Sequence, residues 1–197
     1  LLAETGATFA VRGDGEQAIT DLCRALTDGG DPTGVRGLVG RRENGETFAN
    51  APAWPAPLSI PTGRDAVDNA AYFRRGGQGG IETKRGCPRR CIYCADPLAK
   101  GAAARCRPPK EVADEVESLL AQGVDVLHIC DGEFNVPVEH ARAVCREMIA
   151  RGLGERVRWY TYMMVTPFDA DLAATMARAG CVGIDFTCDA ACDEMLA

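Results

Sequence analysis

This 197-residue chain has little aromatic content (6%), only two histidines and no long apolar run. Without a stretch of about twenty apolar residues, nothing is suited to cross a bilayer as a helix. No charged-then-apolar leader opens the sequence, so its ten cysteines read as thiols of a reducing cytoplasm rather than as a secreted disulfide framework. A basic stripe is also missing. With 22 Lys and Arg against 28 Asp and Glu, the formal charge is −6, which argues against nucleic acid as the main partner and favours a small polar or peptide substrate. A hydrophobic fraction of 46% with 25% charged residues gives a chain that folds around a real core, enough for one domain or one and a half. Leu1 in place of Met, and a helical pattern cut off at Ala197, make a fragment of a longer enzyme the expectation.

The pattern divides the chain into three parts. In residues 1–30, Ala7 to Val11 reads as a short buried strand, residues 12–16 as a turn, and Ile19, Leu22, Cys23 and Leu26 as one face of a helix ending at Gly29-Gly30. Gly13 and Gly15 form a lone Gly-x-Gly, more often a turn than a phosphate site. Residues 31–79 read as a linker: Asn44-Gly45 between short apolar runs signals a hairpin, Pro52, Pro55, Pro57 and Pro61 stiffen an extended segment after it, and the glycines from Gly76 to Gly80 form a flexible approach to the next strand.

From Ile81 onward, strand, loop and helix repeat. Strands are expected at Ile81 to Lys84, Val124 to Cys130, Val157 to Met163 and Cys181 to Thr187. Between them, helices carry Val112, Val116, Leu119 and Leu120, then Val138, Ala141, Cys145, Met148 and Ile149, then Leu172, Met176 and Ala179 behind an Asp169 cap. Asp114, Glu115 and Glu117 read as a solvated face, and Asp189 opens a last helix. Four such units in series predict an α/β fold in which residues 80–197 form a parallel sheet with helices on its outer face.

The chemistry concentrates in Lys84-Arg85-Gly86-Cys87-Pro88-Arg89-Arg90-Cys91-Ile92-Tyr93-Cys94. Three thiolates within eight residues can converge on one metal centre, and a loop supplying only three ligands to a 4Fe–4S cluster leaves one iron open. A zinc knuckle would need a fourth Cys or His, commonly from a second paired knuckle, and none follows at that spacing. In parallel α/β folds the working groups sit at the carboxyl ends of strands, which selects Asp131-Gly132-Glu133-Phe134-Asn135.

The spacing C-x3-C-x2-C, with an aromatic residue before the third cysteine, resembles the signature of the radical S-adenosylmethionine (SAM) enzymes. That resemblance implies that residues 80–197 are the N-terminal part of a partial parallel (β/α) barrel, with a 4Fe–4S cluster held by Cys87, Cys91 and Cys94, SAM on the open iron, and an electron that cleaves SAM to a 5′-deoxyadenosyl radical. It implies Tyr93 near the SAM adenine, and Gly132 and Glu133, with Asp131, at the place of a Gly-Gly-Glu-like motif that receives the SAM amino group. Asp131 departs from that motif's first glycine. The spelling Asp-Gly-Glu-Phe-Asn is similar to the cobalamin-dependent branch, and residues 1–30 resemble the end of the Rossmann-like cobalamin-binding domain that precedes the barrel there. The same resemblance implies cobalamin, methyl transfer and a reductant such as flavodoxin or ferredoxin. The Asp-x-His-x-x-Gly signature of many cobalamin proteins does not occur in these residues.

Two alternatives stay open: a radical SAM enzyme without cobalamin, and a non-catalytic iron–sulfur electron-transfer protein needing a fourth ligand such as Cys106. Trp159, Tyr160 and Tyr162 read as core packing before substrate contacts, His128 as a core histidine, and His140 as solvated. Cys23, Cys106, Cys130, Cys145 and Cys181 read as small buried hydrophobes. Cys188 and Cys192 share a helical face with no further ligands beside them.

Overall fold

The computed structural model of the chain describes residues 2–42, 44–58, 60–61 and 63–187. After a single helical turn α1 (Leu2–Thr5), strand β1 (Phe9–Val11) leads into helix α2 (Glu16–Thr27). Strands β2 (Leu38–Arg41) and β3 (Thr47–Ala49) form the hairpin that Asn44-Gly45 predicts, with Gly45 taking the positive φ such a turn requires. The neighbour of β1 is β2, and the pairing is antiparallel. Strands from residues 1–30 and from the first part of the linker therefore share one small sheet. Its core is Leu22, Leu38 and Phe48. The expected helix face is rotated: α2 buries Ala18 and Leu22, while Ile19, Cys23 and Leu26 are exposed, because a three-stranded sheet offers only a narrow surface to cover.

Helix α3 (Asn69–Arg74), capped by Asp68, precedes strand β4 (Gly79–Ile81). Gly79 and Gly80 are thus part of the sheet rather than a flexible approach to it. A Cβ on Gly79 would press on Leu127 and Val124, so glycine here permits close packing. The expected strand through Lys84 breaks after Ile81. Strand β5 (Lys84–Arg85) turns away, and beyond helix α4 (Asp96–Lys100) it pairs antiparallel with β6 (Arg105–Cys106).

Helix α5 (Pro109–Ala121), strand β7 (Val126–Ile129), helix α6 (Val138–Ala150), strand β8 (Arg158–Met164), helix α7 (Ala170–Arg178) and strand β9 (Cys181–Thr187) come in the predicted order. The sheet runs β4-β7-β8-β9, parallel throughout, as right-handed crossovers through helices require. Apolar residues from one face of this sheet and from α5, α6 and α7 make the main core, with Trp159 fully buried and edge-on to Phe134. Trp159 Nε1 donates to the Ala179 carbonyl at 2.9 Å, which satisfies the indole in that apolar setting. Asp169 caps α7 by accepting from Leu172 N at 2.7 Å. The expected helix from Asp189, with Cys188 and Cys192, lies outside the described residues.

Glu115 corrects the reading of a solvated face. It is 3% exposed and accepts from Arg107 Nη1 and Arg64 Nε, each at 2.6 Å. Arg64 also donates to the Gly80 carbonyl, so this buried acid ties the linker to the first barrel strand.

Candidate cofactor site

The cysteine loop begins where β5 ends. Gly86 has φ +85°, and a Cβ there would collide with the Ala103 carbonyl, so only glycine lets the chain leave the strand at this point. Cys87 N donates to the Gly101 carbonyl at 3.1 Å, and the β5–β6 pair closes the loop at its base. Within the loop, Cys94 N donates to the Cys91 carbonyl at 3.1 Å. Trp54 supports the return from below: its ring lies against Gly101, and Nε1 donates to the Ala99 carbonyl at 3.4 Å. The proline-rich segment is thus a brace under the loop as well as a linker.

A cavity of about 320 Å³, the size of a small-ligand site, opens at the carboxyl end of the parallel sheet. Cys87, Cys91 and Cys94 line it together with Tyr93, Gly132 and Glu133. Six of the seven residues singled out from the sequence therefore meet in one place. Arg89, Asp96, Pro97 and Met164 complete the walls; spacing alone gave no signal for Asp96, Pro97 or Met164. Gly132 is tight against Asp96, since a Cβ there would come within 3.0 Å of Oδ2, so the backbone itself forms that wall.

Asp131, the seventh, does not line the cavity. It is 2% exposed, and it points at the junction of β4 and β5. Its Oδ1 accepts from Thr83 N at 2.8 Å and Lys84 N at 3.2 Å, and its Oδ2 accepts from Thr83 Oγ1 at 2.5 Å and lies 3.9 Å from Lys84 Nζ. Burial pushes this carboxyl up, against the pull of the Lys84 ammonium and the Thr83 hydrogen bonds. His140, expected to be solvated, packs behind the same junction, with Nε2 3.1 Å from the Thr83 carbonyl and its pKa lowered by burial.

The donor set fits a 4Fe–4S cluster with SAM. Three thiols, one half-buried and two exposed, ring a single cavity whose opposite wall is a bare glycine backbone and a carboxylate. Among the described residues no three His, Cys, Asp or Glu are drawn close enough to hold a single metal ion. Cys106 lies on β6 opposite Lys84 and is not part of the cavity wall.

The remaining candidates separate cleanly. Along β8 burial alternates, so Trp159 is core while Tyr160 and Tyr162 face the other side, which is open. His128 stands edge-on to Tyr162 with ring centroids 5.1 Å apart, and Cys130 Sγ lies 3.5 Å from His128 Nδ1 on that same face. Cys130 and Cys23 are exposed, contrary to expectation; Cys145 is buried, and Cys106 and Cys181 are half-buried. Burial pushes the Cys145 thiol up to about 12 and that of Cys181 to about 11, which keeps both as inert thiols. The Phe-Asn after Glu133 has a structural explanation: Phe134 plugs the core, and Asn135 is fully buried, its Nδ2 donating to the carbonyls of Met164 and Pro167 and its Oδ1 accepting from Met164 N.

A parallel sheet with a tri-cysteine loop after its first strand, facing a Gly-Glu turn after its second, defines the architecture of a SAM-dependent iron–sulfur barrel. The radical SAM superfamily model matches residues 81–197, and the chain belongs to that superfamily. Over 97% of its length the chain is 32% identical to the tryptophan 2-C-methyltransferase of Streptomyces laurentii and covers 41% of that protein. It is 30% identical, over 92% of its length, to an anaerobic magnesium-protoporphyrin IX monomethyl ester cyclase of Cereibacter sphaeroides, covering 31% of it. Among solved structures it is similar to the radical SAM methyltransferase TsrM from Kitasatospora setae with tryptophan substrate and a SAM analogue bound: TM-score 0.87, 34% identity, 99% of this chain and 40% of that one. The chain thus spans about two-fifths of the length of these two methyltransferases. Among the described residues no helix is long and apolar enough to cross a membrane.

Proposed function

We propose that this chain is the cluster- and SAM-binding part of a cobalamin-dependent radical SAM methyltransferase acting on a small aromatic molecule, with tryptophan or a related indole as the first substrate to try. The observation that carries this reading is the convergence of Cys87, Cys91 and Cys94 with Gly132 and Glu133 on one cavity. Its support comes from the likeness to the tryptophan methyltransferases, which extends over nearly the whole chain. When bound, these cofactors supply an electron at low potential and a transferable methyl group.

The chain's own residues hold and orient. Cys87, Cys91 and Cys94 would hold the cluster through three of its irons, which would leave a site open to SAM. The Gly132 backbone and the Glu133 carboxylate would receive the SAM ammonium, the latter through a charge-assisted hydrogen bond. Tyr93 would pack against the SAM adenine, and Met164 and Pro97 give the site an apolar wall. The open face bearing Tyr160, Tyr162 and His128 continues from Met164 along β8 and suits a planar ring. A small electron-carrier protein supplies the reductant.

The test is anaerobic incubation of the reconstituted protein with methyl-labelled SAM, cobalamin, reductant and tryptophan. Label in the indole product, lost when Cys87, Cys91 and Cys94 are all changed to Ala, is the expected result. Turnover of SAM without any need for cobalamin would contradict the cobalamin assignment. Absence of SAM turnover with every aromatic substrate tried would contradict the methyltransferase assignment.

A further inference from the structure

We propose that Asp131 is a positioning residue, a buried clamp that fixes the start of the cysteine loop to the Gly132–Glu133 turn and so sets the two halves of the cofactor site against each other. The inference rests on the cofactor reading above, because it concerns the geometry in which those halves receive SAM.

The backbone ladder between the first two barrel strands stops short of the site. Strands β4 and β7 pair as far as Ile81 and Ile129, with a last bond from Cys130 N to the Ile81 carbonyl at 2.8 Å. Beyond it β5 turns off to pair with β6, so no backbone ladder joins residues 82–86 to residues 131–133. The Asp131 side chain takes over at that point. It accepts the N–H groups of both Thr83 and Lys84 and the Thr83 hydroxyl, and it faces the Lys84 ammonium.

Thr83 is left with every polar group engaged. Its carbonyl accepts from Arg107 N at 3.0 Å and meets His140 Nε2 at 3.1 Å. Thr83, Lys84 and Asp131 are all nearly inaccessible to water, so none of these bonds has solvent as a substitute. Lys84 is three residues before Cys87, and Asp131 is the residue immediately before Gly132. Displacement of one partner therefore moves one wall of the cavity relative to the other. Glycine at position 131 would lack all four contacts. The aspartate trades a backbone-only turn for a charged tie between strands, as outer-shell partners do when they orient the residues that touch a ligand.

The test compares the unmodified full chain with Asp131→Asn and Thr83→Val. Asparagine keeps the volume but removes the charge facing Lys84 and sets an NH2 against it; valine removes one hydroxyl and leaves the backbone intact. Two readouts are taken: hydrogen exchange of backbone amides in cluster-free protein, and SAM affinity of the reconstituted protein, followed by the change in its electron paramagnetic resonance spectrum. The expected result is faster exchange confined to residues 83–94 and 132–133, with α5 and α6 unchanged, and SAM affinity weakened roughly tenfold for Asp131→Asn, with bound iron retained. Exchange that accelerates equally in α5 and α6, or SAM affinity unchanged in both variants, would overturn the clamp and leave Asp131 a general stabilising residue. If Asp131→Asn does not fold, the same two outcomes are decided with Thr83→Val. Unmodified protein that takes up a cluster yet does not bind SAM overturns the cofactor reading and the clamp with it. Unmodified protein that binds SAM beside unaffected variants overturns the clamp alone.

Discussion

The two sheets of this molecule are stabilised in different ways. The parallel sheet β4-β7-β8-β9 is backed by a continuous apolar core supplied by three helices, and its buried polar ties, those of Asp131 and Glu115 among them, add to that core. The antiparallel sheet β1-β2-β3, with α2 against it, has a core of only three buried apolar side chains among the described residues. Charged bonds join its surroundings to the rest of the protein. Arg105 donates to Asp14 with both terminal nitrogens, Nη1 at 2.5 Å and Nη2 at 3.1 Å, and Arg85 pairs with Glu16 and Glu82, each at 2.8 Å. Both arginines lie on the β5–β6 pair that closes the cysteine loop. The loop is therefore held between a rigid barrel on one side and a charge-tethered N-terminal part on the other, so a change in either should be felt at the cofactor site.

Breaking a tether at its most buried point should have the largest effect. Glu115→Ala leaves Arg107 buried without its present counter-charge, with Nε and Nη2 already lacking hydrogen-bond partners among the described residues. A loss of about 3–5 kcal/mol is expected on removing one partner of such a pair, measured by urea denaturation. The core contrast comes next. Trp159→Ala should cost about 3–5 kcal/mol, whereas Phe48→Ala should cost about 1–3 kcal/mol, because few neighbours hold its cavity open. Equal losses would erase the distinction drawn between the two sheets.

Gly86→Ala should cost about 1–3 kcal/mol through its positive φ and the Ala103 collision. Its sharper signature is loss of bound iron after reconstitution while the far-ultraviolet circular dichroism stays unchanged. The smallest effect is one of pH. Burial lowers the His140 pKa, so the unfolded chain binds the proton more readily than the folded one. The stability this group contributes is complete above the ordinary imidazole value of about 6.5 and is lost as pH falls through the lowered folded value. Asp131 and Lys84 face the same junction. Comparison of thermal midpoints from pH 8 to 5 should show a steeper acid decline for the unmodified protein than for His140→Gln.

Local signals in the sequence carried much of this fold. Apolar spacing located α5, α6 and α7, Asp169 marked a cap, Asn-Gly marked the hairpin, and strand β9 runs over the residues expected. The cysteine spacing with Gly132 and Glu133 reached most of the cavity lining. The features that stayed hidden depend on distant partners. Glu115 looks like any helical acid until Arg64, 51 residues away, folds onto it. The same holds for His140 against Thr83 and for Asp131, whose place in a motif suggested a ligand role while its contacts turn it toward another strand. The break in the first strand was also illegible, because β5 is recruited by β6 across the whole cysteine loop. Arg105 and Arg107, two cations at strand spacing just after that loop, were the available hint that buried carboxylates would be needed nearby.

The central claim is that three cysteines and the Gly-Glu turn form one site with an open iron. It is tested most directly by the electron paramagnetic resonance spectrum of the anaerobically reconstituted, reduced protein with and without SAM. A 4Fe–4S signal whose shape changes on addition of SAM, and which is absent when Cys87, Cys91 and Cys94 are changed to Ala, is the predicted result. A cluster signal indifferent to SAM, or one that survives loss of those three thiols, would contradict it.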